Sequence, residues 1–196
     1  MPWRKIMKRK NKIHAQQLFC FTGLPLAGKT HAARIIAANI TSCTYISTGD
    51  IARSLIKNNT QQKEMEAKDL FPGEIELRAK LKQQIDDTAA TYILVDGFPR
   101  FGAQAEYMAN TFNDLFPVII DVNAGDMQTL AMRARERARD NRDADEAEFI
   151  KRLGLAMCNH NDVDIVVRRR LIPTYTIMST GDEQSVVNQF MRIAEI

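Results

Sequence analysis

Gly23, Leu24, Pro25, Leu26, Ala27, Gly28, Lys29 and Thr30 spell GLPLAGKT, which meets the phosphate-loop pattern G-x-x-x-x-G-K-[ST] at every constrained position. Glycine at the two fixed places lets the backbone bend close around an anion, so that its N–H groups aim at phosphate oxygens. A helix that opens at the lysine adds the positive end of its dipole. The pattern assigns Lys29 to the β- and γ-phosphates of a nucleoside triphosphate and the Thr30 hydroxyl to Mg²⁺. At an ordinary glycine frequency of about 7%, chance produces such a match in roughly one chain of this length in a hundred.

A loop of this kind needs a strand before it and a helix after it. QLFCF reads as a short apolar strand, and THAARIIAANI reads as a helix rich in alanine and isoleucine. The alternation continues along the chain. Apolar runs predict strands near 17–22, 43–47, 91–95, 116–122 and 174–178. Helical patterns separate them at roughly 29–40, 48–58, 61–69, 74–89, 103–113, 125–139, 145–159 and 181–194. The expected fold class is α/β: a parallel five-stranded sheet flanked by helices, one domain over residues 17–196.

On such sheets ligands gather outside the carboxyl ends of the strands, so polar groups should follow each strand. They do. STGDIAR follows the second, with Thr48 or Asp50 placed to cap a helix and Arg53 one turn further along. The third, YILVDGFPR, ends in Asp96 like a Walker B strand, whose carboxylate holds Mg²⁺ through water. Gly97, Phe98 and Pro99 then turn tightly to present Arg100. Later, a helix from about Gly125 carries Met127, Leu130, Ala131, Ala134 and Ala138 on one apolar face. Arg133 and Arg137 flank that face on one side, Arg135 and Arg139 on the other. Only one pair can face the phosphates, and a solvated basic stripe is the other reading.

The formal charge of +3 misleads about partners. Six of the 27 Lys and Arg lie in the first twelve residues without an acid among them, so the remainder sets 21 bases against 24 acids. Residues 1–16 read as a basic, solvated extension; a targeting segment and a membrane or nucleic-acid contact are the alternatives. No stretch is apolar enough, for long enough, to cross a bilayer. Cys20, Cys43 and Cys158 show no metal-ligand spacing, and a reducing, cytoplasmic setting is expected.

Taken in order, GLPLAGK, STGDIAR, DGFPRFGAQ and Arg133-x-x-x-Arg137 resemble the adenylate kinases, a family of nucleoside monophosphate kinases. The likeness runs from about residue 17 to the end of the chain. It implies transfer of the γ-phosphoryl group of ATP to AMP with Mg²⁺, by a monomer, with small acceptor-binding (about 47–90) and short lid (about 138–146) insertions. Residues Gly23 to Thr30 with Arg133 and Arg137 would hold ATP. Thr30, Asp50 and Asp96 would hold Mg²⁺, the carboxylates through water. Arg53 and Arg100 would clamp the acceptor phosphate bidentately, as arginine does and lysine does not. Thr48, Gly97, Gln104 and the backbone near Leu70 and Phe71 would seat its base. Lys29, Arg100, Arg133, Arg142 and Arg152 would stabilise the moving phosphoryl group, while NRDADEAEFIKR supplies the lid that keeps water out. A monophosphate has a second pKa near 6 and is already a dianion, so His14, His31 and His160 are not required as bases.

Thr48 and Gln104 favour AMP; relatives that prefer UMP or CMP resemble a pattern with Ala and Asn there. A side-chain amide can pair bidentately with an adenine edge. The chain departs from the family at Leu26, where Gly is usual, at Phe101, where Thr is usual, and in GKT for GKGT. The span from Arg142 to Arg152 is one residue shorter than usual, and the acceptor lobe is shorter by several. Two alternatives therefore stand beside the AMP reading: the same chemistry on CMP, UMP or a deoxynucleotide, and a nucleotide-binding module with little turnover.

Overall fold

The computed structural model describes residues 16–57, 74–138 and 146–196. Strands β1 (Gln17–Thr22), β2 (Cys43–Ser47), β3 (Tyr92–Asp96), β4 (Val118–Asn123) and β5 (Thr174–Met178) form one parallel sheet ordered β2-β3-β1-β4-β5. The described residues include seven α-helices: α1 (Lys29–Asn39), α2 (Thr48–Lys57), α3 (Glu74–Asp86), α4 (Gly102–Thr111), α5 (Met127–Ala138), α6 (Glu146–Arg169) and α7 (Glu183–Ala194). This is the α/β class that the alternation of patterns predicts.

The central strands carry FCF and ILV because both their faces are covered, and a strand buried on both sides needs no polar alternation. Side chains on a strand point alternately to its two faces. Leu18 and Cys20 of β1 meet Leu77, Leu81 and Ile85 of α3, Met108 of α4 and Val163, Val166 and Val167 of α6 in one core. Phe19 and Phe21 meet Ala32, Ala33 and Ile36 of α1 and Val186, Val187 and Phe190 of α7 in the other. The Phe19 and Phe190 rings stand 4.8 Å apart, edge to face, joining strand to helix. Burial pushes the Cys20 thiol far above its ordinary pKa and that of Cys43 up to about 11, so both behave as small apolar residues.

Register is what matters for the site. Phe21 lies opposite Asp96 in β3 and Ile120 in β4, and Ser47 of β2 also lies opposite Asp96. The turns after β1, β2 and β3 thus leave the sheet at one level, side by side.

Several boundaries differ from the sequence reading. Helix α6 continues ten residues past the expected end at about 159. The HNDVDIVV stretch disfavours a helix locally, through Asn, Asp and β-branched Val. Burial of Val163, Val166 and Val167 at helical spacing outweighs that preference. Helix α3 stops at Asp86, and α5 starts at Met127, where the Asp126 carboxylate accepts a bond from Thr129 N at 2.7 Å. On the expected apolar face of α5, Leu130 and Ala134 are buried and Met127 and Ala131 exposed, because that helix packs on the loop after β1, on Ala124 and on Leu153 of α6 rather than on the sheet; the side chain of Ala138 lies outside the described residues. The helix expected at 61–69, the body of the extension and most of the lid lie outside the described residues. Gln16 is described, and its amide donates to Thr88 O and Ala90 O at 2.6 and 3.1 Å.

Gly154 sits inside α6, exposed, with no atom within 4 Å of the place a Cβ would take. Gly154→Ala should therefore stabilise the chain by about 0.5–1 kcal/mol and raise its Tm by about 1–4 °C in a thermal melt.

Candidate active site

The turn after β1 is built for an anion. Gly23 has φ +128°, and a Cβ there would lie 2.4 Å from the Val122 carbonyl oxygen, so the chain can cross the end of β4 only as glycine. Gly28, at φ +94°, leads directly into α1. No side chain caps that helix, and its first turn holds no acid, which leaves its opening N–H groups directed at whatever the loop encloses. Leu26 adopts φ +65°. That left-handed conformation costs a side chain about 1–2 kcal/mol relative to glycine. Packing offsets the cost: Leu24 and Leu26 lie against Ala27, Ala124 and Leu130 on one side and Ala134 and Leu153 on the other. The loop is clamped in the strained form by α5 and α6. A cavity of about 310 Å³ opens behind it, between Leu24, Ala27, the end of β4 and helices α5 and α6, with Asp121 and His160 in its wall.

Lys29 folds back over the loop, donating to Gly23 O at 2.8 Å and Leu24 O at 2.7 Å. Thr30 Oγ1 donates to Asp96 Oδ2 at 2.6 Å, so the two groups named for Mg²⁺ meet. Tyr45 OH donates to the same oxygen at 3.0 Å. Burial raises the pKa of Tyr45 first, and the Asp96 charge adds to it. Asp50, the third expected metal group, is differently engaged. Its exposed carboxylate accepts from Arg53 Nη2 at 2.6 Å, and that bond holds its pKa below the ordinary value. Neither Thr48 nor Asp50 caps α2. Ser47 does, accepting from Asp50 N at 3.1 Å, because it is the last residue in extended conformation.

The described residues expected to hold the acceptor, Thr48, Arg53, Gly97, Arg100 and Gln104, lie beside this loop. Gly97, at φ +77°, and the cis bond between Phe98 and Pro99 turn the chain so that Arg100 Nε donates to Gly97 O at 2.9 Å. Thr48 is buried, and its hydroxyl donates to Asp96 O and Gly97 O at 2.9 and 3.0 Å, stitching the turn after β2 to the turn after β3. Its proton therefore serves the backbone, not a base. Removal from water lowers the pKa of the Arg100 guanidinium; the Asp96 carboxylate opposes this and the nearby Arg53 charge adds to it. Two guanidinium groups held within range of each other repel, and an anion between them would relieve that repulsion. Gln104 is buried: Oε1 accepts from Arg100 N at 2.7 Å and Nε2 donates to Glu74 Oε2 at 3.0 Å.

On α5 the side holding Arg133 faces the loop. Arg133 Nη1 donates to Leu26 O at 2.9 Å and Ser179 Oγ at 3.2 Å, while Arg135 is exposed. Arg152 is exposed on α6. The side chain of Arg137, and Leu70, Phe71, Arg139, Arg142 and Asp145, lie outside the described residues. Sequence reasoning missed Tyr45, Ser47, Glu74 and Ser179. The Ser47-x-x-Asp50 spacing is a capping signal that could have found one of them. Tyr45 shares a strand face with Ser47, and the reach of its hydroxyl to Asp96 is visible only once β2 and β3 are paired, with Tyr45 opposite Leu94 and Ser47 opposite Asp96.

Glycine at 23 is testable on its own. Gly23→Ala should cost about 2 kcal/mol or more, through the forced left-handed backbone and the clash with Val122, and should abolish ATP binding. Urea unfolding and calorimetric titration with ATP measure the two effects.

A family model described as an AAA domain matches residues 22–151. The adenylate kinase of Thermobifida fusca (strain YX) is 36% identical over 138 residues, covering 66% of this chain and 72% of that protein. That of Synechococcus sp. (strain JA-2-3B'a(2-13)) is 34% identical over 144 residues, 68% of this chain and 73% of the relative. An adenylate kinase of Listeria monocytogenes serotype 4b (strain CLIP80459) is 39% identical over 99 residues, 47% and 45% of the two chains. With the phosphate loop, the Walker B carboxylate, Arg53 and Arg100 gathered at the carboxyl ends of β1, β2 and β3, these matches show that the chain is a nucleoside monophosphate kinase and belongs to the adenylate kinase family.

Proposed function

We propose that the chain transfers the γ-phosphoryl group of ATP to AMP, giving two molecules of ADP. The observation that carries this reading is the adjacency of two anion sites. In the order β2-β3-β1, the loop for a triphosphate follows β1, and the arginines for a second phosphate follow β2 and β3 at the same level. Neighbouring strands lie about 4.8 Å apart, so both sites fall within the span of two phosphates meeting end to end.

The residues act by placement and charge. The loop amides and Lys29 hold the donor phosphates, and Lys29 leaves the carbonyls of Gly23 and Leu24 to do so. Arg53 and Arg100 bring the acceptor phosphate alongside, where its dianionic oxygen needs no base. Arg100 and Arg133 spread the charge of the group in flight, joined by Arg142 and Arg152 when the lid segment closes. Thr30 and Asp96 fit Mg²⁺, as hard oxygen donors set beside a phosphate loop, and the rest of its shell would come from water and nucleotide. When bound, the ion neutralises charge that builds on the β- and γ-oxygens. Gln104 reads the acceptor base, a role in which the family pattern also enlists Gly97 and the backbone at Leu70 and Phe71. In this reading Thr48 contributes through its backbone and methyl group rather than its proton, and Asp50 reaches the metal shell only after Arg53 turns to the acceptor phosphate. Free cysteines at 20, 43 and 158 suit a reducing cytoplasm, and no described helix is long and apolar enough to cross a membrane.

A coupled assay for ADP with ATP, Mg²⁺ and a panel of monophosphates tests the proposal. AMP should be the best acceptor, with Lys29→Met and Arg100→Ala each lowering kcat/KM by about 10²-fold or more. A better acceptor among CMP, UMP and the deoxynucleotides would move the reading to that base. ATP binding without turnover on any acceptor would make the chain a nucleotide-binding module.

A further inference from the structure

The amide of Gln104 can lie in only one of its two orientations. The Glu74 carboxylate, paired with Arg78, only accepts, whereas the Arg100 backbone N–H only donates. Nitrogen toward Glu74 (3.0 Å) and oxygen toward Arg100 N (2.7 Å) satisfies both; the flipped amide would oppose both. Glu74 is itself held. Its other oxygen takes Arg78 Nε at 2.5 Å, the Arg78 guanidinium lies 5.0 Å above the Tyr107 ring, and Tyr107 OH donates to Arg78 O at 3.3 Å. The Glu74 and Arg78 side chains are 22% and 25% exposed, so water competes with this chain of contacts only in part.

A primary amide has two N–H donors and two acceptor lone pairs. Among the described residues one of each is committed to Glu74 and Arg100, which leaves one donor and one acceptor in fixed places for a base. Adenine offers the complement, an accepting N1 beside a donating 6-amino group. Hypoxanthine, in IMP, offers the reverse, a donating N1–H beside an accepting 6-oxo group. We propose that Glu74 is a specificity-positioning residue: by fixing the flip of Gln104 it makes the acceptor site accept a 6-amino purine and reject a 6-oxo purine. The inference rests on the AMP reading above and names the residue behind its base selectivity. Because Gln104 is 1% exposed, water cannot make good a mismatched pair.

The test is the ratio of kcat/KM for AMP to that for IMP, with ATP saturating, in the wild type and in Glu74→Gln. The new amide keeps its oxygen on Arg78 Nε and offers Gln104 an N–H where an acceptor stood, so the pull that fixed the flip of Gln104 is lost. The wild type should favour AMP, and Glu74→Gln should narrow the ratio about tenfold or more while the KM for ATP stays within about twofold. A merely structural loss would lower both acceptors in proportion and leave the ratio alone. Should Glu74→Gln fail to fold in a thermal melt, Arg78→Met, which frees Glu74 to leave Gln104, is read for the same narrowing. A folded variant with an unchanged ratio, or a wild type indifferent to the two bases, overturns the inference and leaves phosphoryl transfer standing. A wild type that phosphorylates neither overturns both.

Discussion

The 2.6 Å hydrogen bond from Thr30 to Asp96 joins the two pieces of chain on which the site depends, the start of α1 and the end of β3. A carboxylate that is 6% exposed must have donors, and here two hydroxyls, from Thr30 and Tyr45, supply them at one oxygen. The same carboxylate tempers the field that the Arg53 and Arg100 charges set up beside it. A strand buried on both faces fixes where that oxygen stands. Donor loop and acceptor turn are then fixed relative to it and to each other.

Polyanions are difficult to bring together, and this molecule meets the difficulty by assembling positive groups before either nucleotide arrives. The uncapped start of α1, the folded-back Lys29 and the neighbouring Arg53 and Arg100 are all unfavourable alone. Asp50 holds Arg53 meanwhile, and backbone carbonyls hold Lys29 and Arg100, in bonds that a phosphate can replace. Leu26 belongs to the same economy of strain. Its left-handed backbone is kept by apolar contacts with Leu130 and Ala134 of α5 and Leu153 of α6, so the shape of the loop depends on those two helices.

The fold was largely legible in the sequence because its signals are local. GLPLAGKT, the apolar runs FCF and ILV, and the alanine-rich helix after the loop each specify their own element. The end of α6 was not, since Val163, Val166 and Val167 become helical through burial that no local pattern reveals. The site divides the same way. Lys29, Thr30, Asp96, Arg100 and Gln104 stand in motifs, so their identities could be read directly. What their polar atoms bind could not. Thr48 bonds two backbone carbonyls, Asp50 pairs with Arg53, and Glu74 holds Gln104 across 30 residues of chain, all set by strand pairing and helix packing.

The central claim is that two nucleotides are gripped tail to tail by one continuous cradle. Calorimetric titration with diadenosine pentaphosphate, two adenosines joined by five phosphates, addresses it most directly. The account predicts one molecule bound per chain, tighter than ATP or AMP alone, and displacement of both nucleotides at once. A complex from which ATP is displaced while AMP still binds with unchanged affinity would contradict it.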